Sequence, residues 1–94
     1  MTTITIDSSV RIPEDVMFRE LDGEAVLLNL QSGIYFGLDA VGTRIWQLVE
    51  LQQGSIRGVW QAMVDEFDAE PERLEQDLLA FVRELNSSGL LSAH

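Results

Sequence analysis

Residues 16–38 read VMFRELDGEAVLLNLQSGIYFGL, and this stretch decides the fold. Two β-prone runs, 16–21 and 24–30, flank Asp22-Gly23, a dipeptide suited to a tight hairpin turn that requires positive φ. A second turn leads into a third run, 34–38, which is aromatic and starts with a β-branched residue. The spacing predicts a three-stranded antiparallel sheet with the run 24–30 in the middle and an edge on each outer strand.

Three amphipathic helices are predicted to follow the sheet. We expect Asp39 to cap the first helix and Ser55 to cap the second, because short polar side chains accept hydrogen bonds from the free amides at a helix start. Pro71 suits the first turn of the third helix. Three strands followed by three helices indicate an α+β fold, and the helix pair 55–67 and 71–88 is typical of a winged helix-turn-helix domain.

The chain is predicted to form one domain, 16–94, after an extended N-terminal arm, 1–15. Ninety-four residues are enough for one core and too few for two. Leu90 and Leu91 are expected to fold back onto the core after the last helix. The sequence has neither a signal-peptide start nor an apolar run long enough for a membrane span. We therefore expect a soluble, cytoplasmic protein that does not engage a membrane.

Charge and composition exclude several classes of function. Sixteen carboxylates against six arginines give a formal net charge of −10, so a nucleic-acid backbone would be repelled and nucleic acid is not an expected partner. The absence of cysteine excludes thiol catalysis and cysteine-ligated zinc. The one histidine, His94, is the last residue, where no base is held in place beside a nucleophile. We expect no enzymatic activity, no cofactor and no metal site.

Tyr35 and Phe36 are the first candidate binding residues. Neighbours in a strand point to opposite faces of the sheet, so both rings cannot enter the same core, and one is free to serve a bound peptide. If the strand 34–38 packs beside the third helix, an unpaired strand edge forms the floor of a groove. The walls of that groove would be Asp77, Leu78 and Phe81. The alternative interpretations are that the free ring is an ordinary surface aromatic and that the third helix is an ordinary surface helix.

Residues 33–46 carry a specific resemblance. They contain the run G-x-Y-x-x-L-[ND]-x-x-G-x-x-[IV]-W, and together with residues 77–91 they are similar to the PqqD family. The resemblance extends from about Val16 to Leu91. It implies a PqqD-like recognition element for ribosomal precursor peptides, with a winged helix-turn-helix fold and no activity of its own.

The resemblance also implies where a leader peptide binds. In the family the leader adds as a β-strand to the third strand and lies against the third helix. The implied peptide-binding residues are Ile34, Tyr35, Phe36, Gly37, Leu38, Leu74, Asp77, Leu78 and Phe81.

Within the family, this short chain most resembles the stand-alone leader-binding subunit of lasso-peptide biosynthesis. That likeness implies a leader-cleaving cysteine protease and a cyclase as further partners. The alternatives are a peptide chaperone for a radical enzyme in pyrroloquinoline-quinone synthesis, a winged-helix DNA-binding protein and a scaffolding domain. DNA binding is disfavoured because the third helix opens with Glu70, Glu72 and Glu75, where a recognition helix is basic.

Overall fold

The structure, a computed structural model, describes residues 3–93. Residues 1, 2 and 94 lie outside the described part, and with them the start of the predicted arm and His94. The described elements, in chain order, are β1 (Val10–Arg11), β2 (Val16–Leu21), β3 (Glu24–Asn29), β4 (Tyr35–Leu38), α1 (Ala40–Leu51), α2 (Ile56–Glu66), α3 (Pro71–Ser87) and β5 (Ser92–Ala93). The predicted α+β order of three paired strands and then three helices is confirmed.

The main sheet has the predicted arrangement, with β3 between β2 and β4 and antiparallel to both. Asp22 and Gly23 have φ of 55° and 81°, the positive values that the hairpin turn was predicted to need. The second turn is held by Asn29, whose Oδ1 accepts hydrogen bonds from the backbone N–H of Gln31 and Ser32 at 2.9 and 3.1 Å. Its Nδ2 donates to the Gly89 carbonyl at 2.9 Å and so ties this turn to the end of α3.

The two faces of the main sheet differ. Leu27 pairs with Phe36 and Ala25 pairs with Leu38, and these residues face the helices, where all but Phe36 are buried. Alternate residues point to the other side, which we call the outer face. It carries Met17, Arg19, Leu21, Val26, Leu28, Tyr35 and Gly37.

Each helix begins as the sequence predicts. Asp39 Oδ1 accepts from the Gly42 amide at 2.8 Å, and Ser55 Oγ accepts from the Gly58 amide at 3.1 Å. Pro71 is the first residue of α3, where its missing N–H breaks no helical hydrogen bond. These local signals therefore set the residues at which the helices begin.

A bidentate ion pair joins α1 to α2. Arg44 Nε and Nη2 donate to Glu66 Oε1 and Oε2 at 2.8 and 3.0 Å. Hydrogen bonding to Arg44 lowers the pKa of the Glu66 carboxyl, and the same bonds raise the pKa of Arg44.

Both ends of the described chain join the core. Ile4 and Val10 are buried, and β1 pairs antiparallel with β5 through Val10 and Ala93. Leu90 and Leu91 are buried as predicted. The sequence did not indicate the β1–β5 pair, because a two-residue strand has no periodic pattern. The division into an arm, 1–15, and a domain, 16–94, stays a prediction. None of the helices in residues 3–93 is both long enough and apolar enough to cross a bilayer.

Candidate functional site

One edge of β4 is open, because no strand within residues 3–93 pairs with the side that faces away from β3. The Asn29 amide donates to the Ile34 carbonyl at 2.8 Å, which makes this a hydrogen-bonded pair of the antiparallel ladder. Hydrogen-bonded and non-bonded pairs alternate along such a ladder, so the N–H and C=O groups of Tyr35 and Gly37 point away from β3. The edge thus offers two donors and two acceptors to an added strand.

A cavity of about 400 Å³ lies beside this edge, on the helix side of β4. Strand β4 and helices α1 and α3 all contribute to it, and most of the side chains in its lining are apolar. The lining residues are Phe36, Gly37, Leu38, Asp39, Val41, Gly42, Ile45, Asp77 and Phe81. We call this cavity the groove.

Gly42 keeps the groove open. It is buried in the first turn of α1, and a Cβ there would lie 3.3 Å from a methyl carbon of Leu38 and 3.5 Å from the ring of Phe81. The distance to Leu38 is shorter than an ordinary methyl contact and the distance to Phe81 is an ordinary van der Waals contact, so an added methyl group would press α1 away from β4. Any larger residue at this position would fill part of the groove.

Two carboxylates give the groove a negative rim. Asp39 has one oxygen engaged in the α1 cap. Asp77 lies one helical turn after Arg73, at 3.7 Å between Oδ2 and Nε, with both side chains largely exposed. Among the described residues, no lysine, arginine or histidine lines the groove. The site therefore suits a guest that is apolar where it enters and neutral or basic at its border.

Five of the nine predicted site residues meet in the groove, and they are Phe36, Gly37, Leu38, Asp77 and Phe81. Tyr35 is 74% exposed on the outer face, and Ile34 is exposed just before β4. Leu74 and Leu78 lie instead in the hydrophobic core, with Leu78 at 0% exposure. Both pack α3 against the core, where Leu78 offers no surface to a guest and Leu74 offers very little.

Sequence reasoning missed the contribution of α1 to the groove. The helical spacing of α1 puts Val41 on the same face as the buried Ile45, yet Val41 is 53% exposed and lines the groove. Gly42 is one position of the motif in residues 33–46, and that motif alone does not say why a glycine stands inside the helix. Its place within a helix was the available signal, since glycine there costs about 1 kcal/mol relative to alanine and calls for a structural reason.

The described residues contain no cluster of three or more histidine, cysteine, aspartate or glutamate side chains able to hold a metal ion. The candidate site is therefore assigned from its backbone edge and its apolar groove alone.

The comparisons with known proteins bear on this geometry. The family model described as "Coenzyme PQQ synthesis protein D (PqqD)" matches residues 24–91. The chain belongs to the PqqD family. The match includes β3, β4 and all three helices, so all the elements that line the groove lie within the residues matched to the PqqD family. The resemblance read from residues 33–46 is thereby confirmed.

Two solved structures are similar to this PqqD-family chain. One, "TbiB1 in Complex with the TbiA(beta) Leader Peptide", is 41% identical, with a TM-score of 0.80, covering 86% of this chain and 93% of that chain. Another, "Lasso peptide synthetase B1 complexed with the leader peptide", is 28% identical, with a TM-score of 0.77, covering 88% of this chain and 96% of that chain. Among curated proteins, none matches the chain.

Proposed function

We propose that this chain is a non-catalytic recognition domain that binds the leader region of a ribosomal precursor peptide as a fourth strand on β4. The observation that carries this proposal is the open edge of β4 beside the groove. Backbone groups on such an edge supply affinity for any extended peptide, and the adjoining pockets select among sequences. The similarity to two proteins described in complex with leader peptides supports the same mode.

The apolar groove residues carry most of the expected binding energy. A leader that is disordered when free loses conformational entropy on binding, so a few buried anchors must outweigh that loss. Phe36 and Phe81 are half-buried, and Val41 is exposed, so each has apolar surface left to cover. We expect micromolar to sub-micromolar affinity, roughly −8 to −10 kcal/mol.

We further propose that the pathway is lasso-peptide biosynthesis. In this role the domain holds the leader and presents the precursor to a separate leader-cleaving cysteine protease, and a cyclase is its second partner enzyme. The similarity to a lasso peptide synthetase B1 supports this assignment over the other pathways of the family. The protein itself contributes binding and orientation, and the bond-making chemistry belongs to its partners.

Replacing Tyr35 with proline tests strand addition. Because the Tyr35 N–H points to the open edge, Tyr35→Pro removes one donor for the guest and leaves the β3–β4 ladder intact. We expect binding to weaken at least tenfold. The probes are the labelled TbiA(beta) leader, followed by fluorescence anisotropy, and peptides selected from a displayed random library.

Glu20→Pro is the matched control. The Leu30 amide donates to the Asp15 carbonyl, so by the same alternation the Glu20 N–H points to the far edge of β2. This variant should bind like the parent. The proposal fails if the parent enriches no peptide, if Tyr35→Pro is folded by circular dichroism and binds normally, or if both prolines weaken binding equally.

A further inference from the structure

Gly37 is a glycine that the free protein does not need. Its φ lies outside the positive range, so an ordinary L-residue fits the backbone there, and a Cβ built on it meets no atom within 4 Å. Glycine nevertheless weakens a strand, because it loses more entropy on folding and packs nothing. An edge-strand glycine without an internal reason marks a place where another group approaches closely.

The space above Gly37 belongs to the outer face of the sheet, opposite the groove. Gly37 pairs with Val26, which is 43% exposed, and Tyr35 lies two residues away on the same face. A second depression, of about 430 Å³, extends from Gly37 across this face. Its lining is Arg19, Leu21, Glu24, Ala25, Val26, Gly37, Leu38 and Asp39. Apolar surface thus continues around the open edge to both sides of β4.

We infer that Gly37 determines specificity, by leaving room on the outer face for an aromatic side chain of the strand added to β4. This inference rests on the proposed function and goes beyond the groove. The guest residue opposite Gly37 directs its side chain to the same face as Gly37, within reach of Val26 and Tyr35. An aromatic ring covers an edge glycine by lying across it from the neighbouring strand.

The surroundings favour an aromatic ring over an aliphatic side chain. Tyr35 is 74% exposed and offers a ring for stacking, and Arg19 is among the residues that line the depression, so its guanidinium is available to lie over an aromatic face. A bound peptide therefore contacts the domain on both faces of the sheet. Alternate guest residues enter the groove, and the residue between two of them crosses Gly37 on the outer face.

Gly37→Val tests the inference, because valine fills the space above residue 37 and is a better strand former than glycine. The variant should be at least as stable as the parent to thermal unfolding. Each peptide selected on the parent is then measured with every residue replaced by alanine in turn, against both proteins. We expect one aromatic position whose replacement weakens binding to the parent at least tenfold and changes binding to Gly37→Val less than twofold. The intact peptide should bind the variant at least tenfold more weakly.

Met17→Thr is the matched control, since Met17 lies on the outer face of β2, on the strand that does not border β4. It should leave every affinity unchanged. The inference is overturned if Gly37→Val binds the intact peptides as tightly as the parent does. It is also overturned if the alanine scan shows the same loss of affinity at every peptide position. In both cases the Tyr35→Pro result still upholds strand addition. Binding that is insensitive to Tyr35→Pro instead removes the proposed function itself.

Discussion

Leu78 and Phe81 lie one turn apart on α3, and truncating each to alanine should give opposite results. Leu78 is fully buried in the core, whereas Phe81 lines the groove and is half-buried. Leu78→Ala removes three buried carbons, about 2.4 kcal/mol at roughly 0.8 per carbon, and the cavity left behind raises the loss to about 3–4 kcal/mol. That is a large fraction of the roughly 5–14 kcal/mol expected for a domain of this size.

Phe81→Ala should cost less stability and more binding. We expect a loss of about 1–2 kcal/mol in the free energy of unfolding, because part of the ring is already in water and its removal opens no closed cavity. Peptide affinity should fall at least tenfold, since the ring forms one wall of the groove. Under conditions where the Leu78→Ala variant is folded, its peptide affinity should stay within about threefold of the parent's, because Leu78 has no surface to offer a guest.

Urea unfolding monitored by tryptophan fluorescence measures the free energy of unfolding. Fluorescence anisotropy with a selected peptide measures the peptide affinity, at a temperature where both variants are folded. A loss below about 1 kcal/mol for Leu78→Ala would contradict its place in the core. An equal loss of peptide affinity in both variants would show that α3 is rotated relative to β4, and the groove described above would then be wrong.

Two further predictions concern the fold away from the groove. Gly54→Ala should destabilise the protein by about 2–4 kcal/mol in urea unfolding, because Gly54 has a φ of 84° and a Cβ there would collide with the Val10 carbonyl. Gly23→Ala is its control, with a φ of 81° in open space, and should lose only about 1–2 kcal/mol; equal losses would refute the collision. Glu66→Gln should slightly lower the urea midpoint at neutral pH, because the folded-state pKa of Glu66 is lowered by Arg44 and its stabilisation is present above the unfolded pKa. The gap between parent and variant should close as pH falls below about 4, and a gap independent of pH would contradict the role of the ion pair.

The parts of the fold that the sequence predicted are those set by near neighbours. Asp22-Gly23 needs only its own positive φ to turn the chain, and Asp39, Ser55 and Pro71 act on amides within three or four residues. The antiparallel order then follows because short turns leave few ways to connect three strands. None of these features required knowledge of distant contacts.

The features that escaped prediction depend on distant contacts. Leu78 and Phe81 belong to one apolar stripe, and only the rotation of α3 against the sheet decides which enters the core. The same holds for Val41, since periodicity marks the apolar face of α1 without showing how much of it another element covers. The proposed role of Gly37 can be inferred only once the register of the β3–β4 ladder is known. The β1–β5 pair joins segments about eighty residues apart in the sequence.

Under the proposed function, the open edge of β4 has a consequence for how a bound precursor peptide reaches a processing enzyme. A strand added there satisfies only alternate backbone groups through β4, because hydrogen bonding in a ladder alternates from side to side. Its remaining amides and carbonyls form a second open edge on the far side of the added strand, so the sheet gains a strand and still has an open edge. Under the proposed function, that second edge stays available for a processing enzyme to pair with while the domain still holds the peptide, so transfer does not require release into bulk solvent.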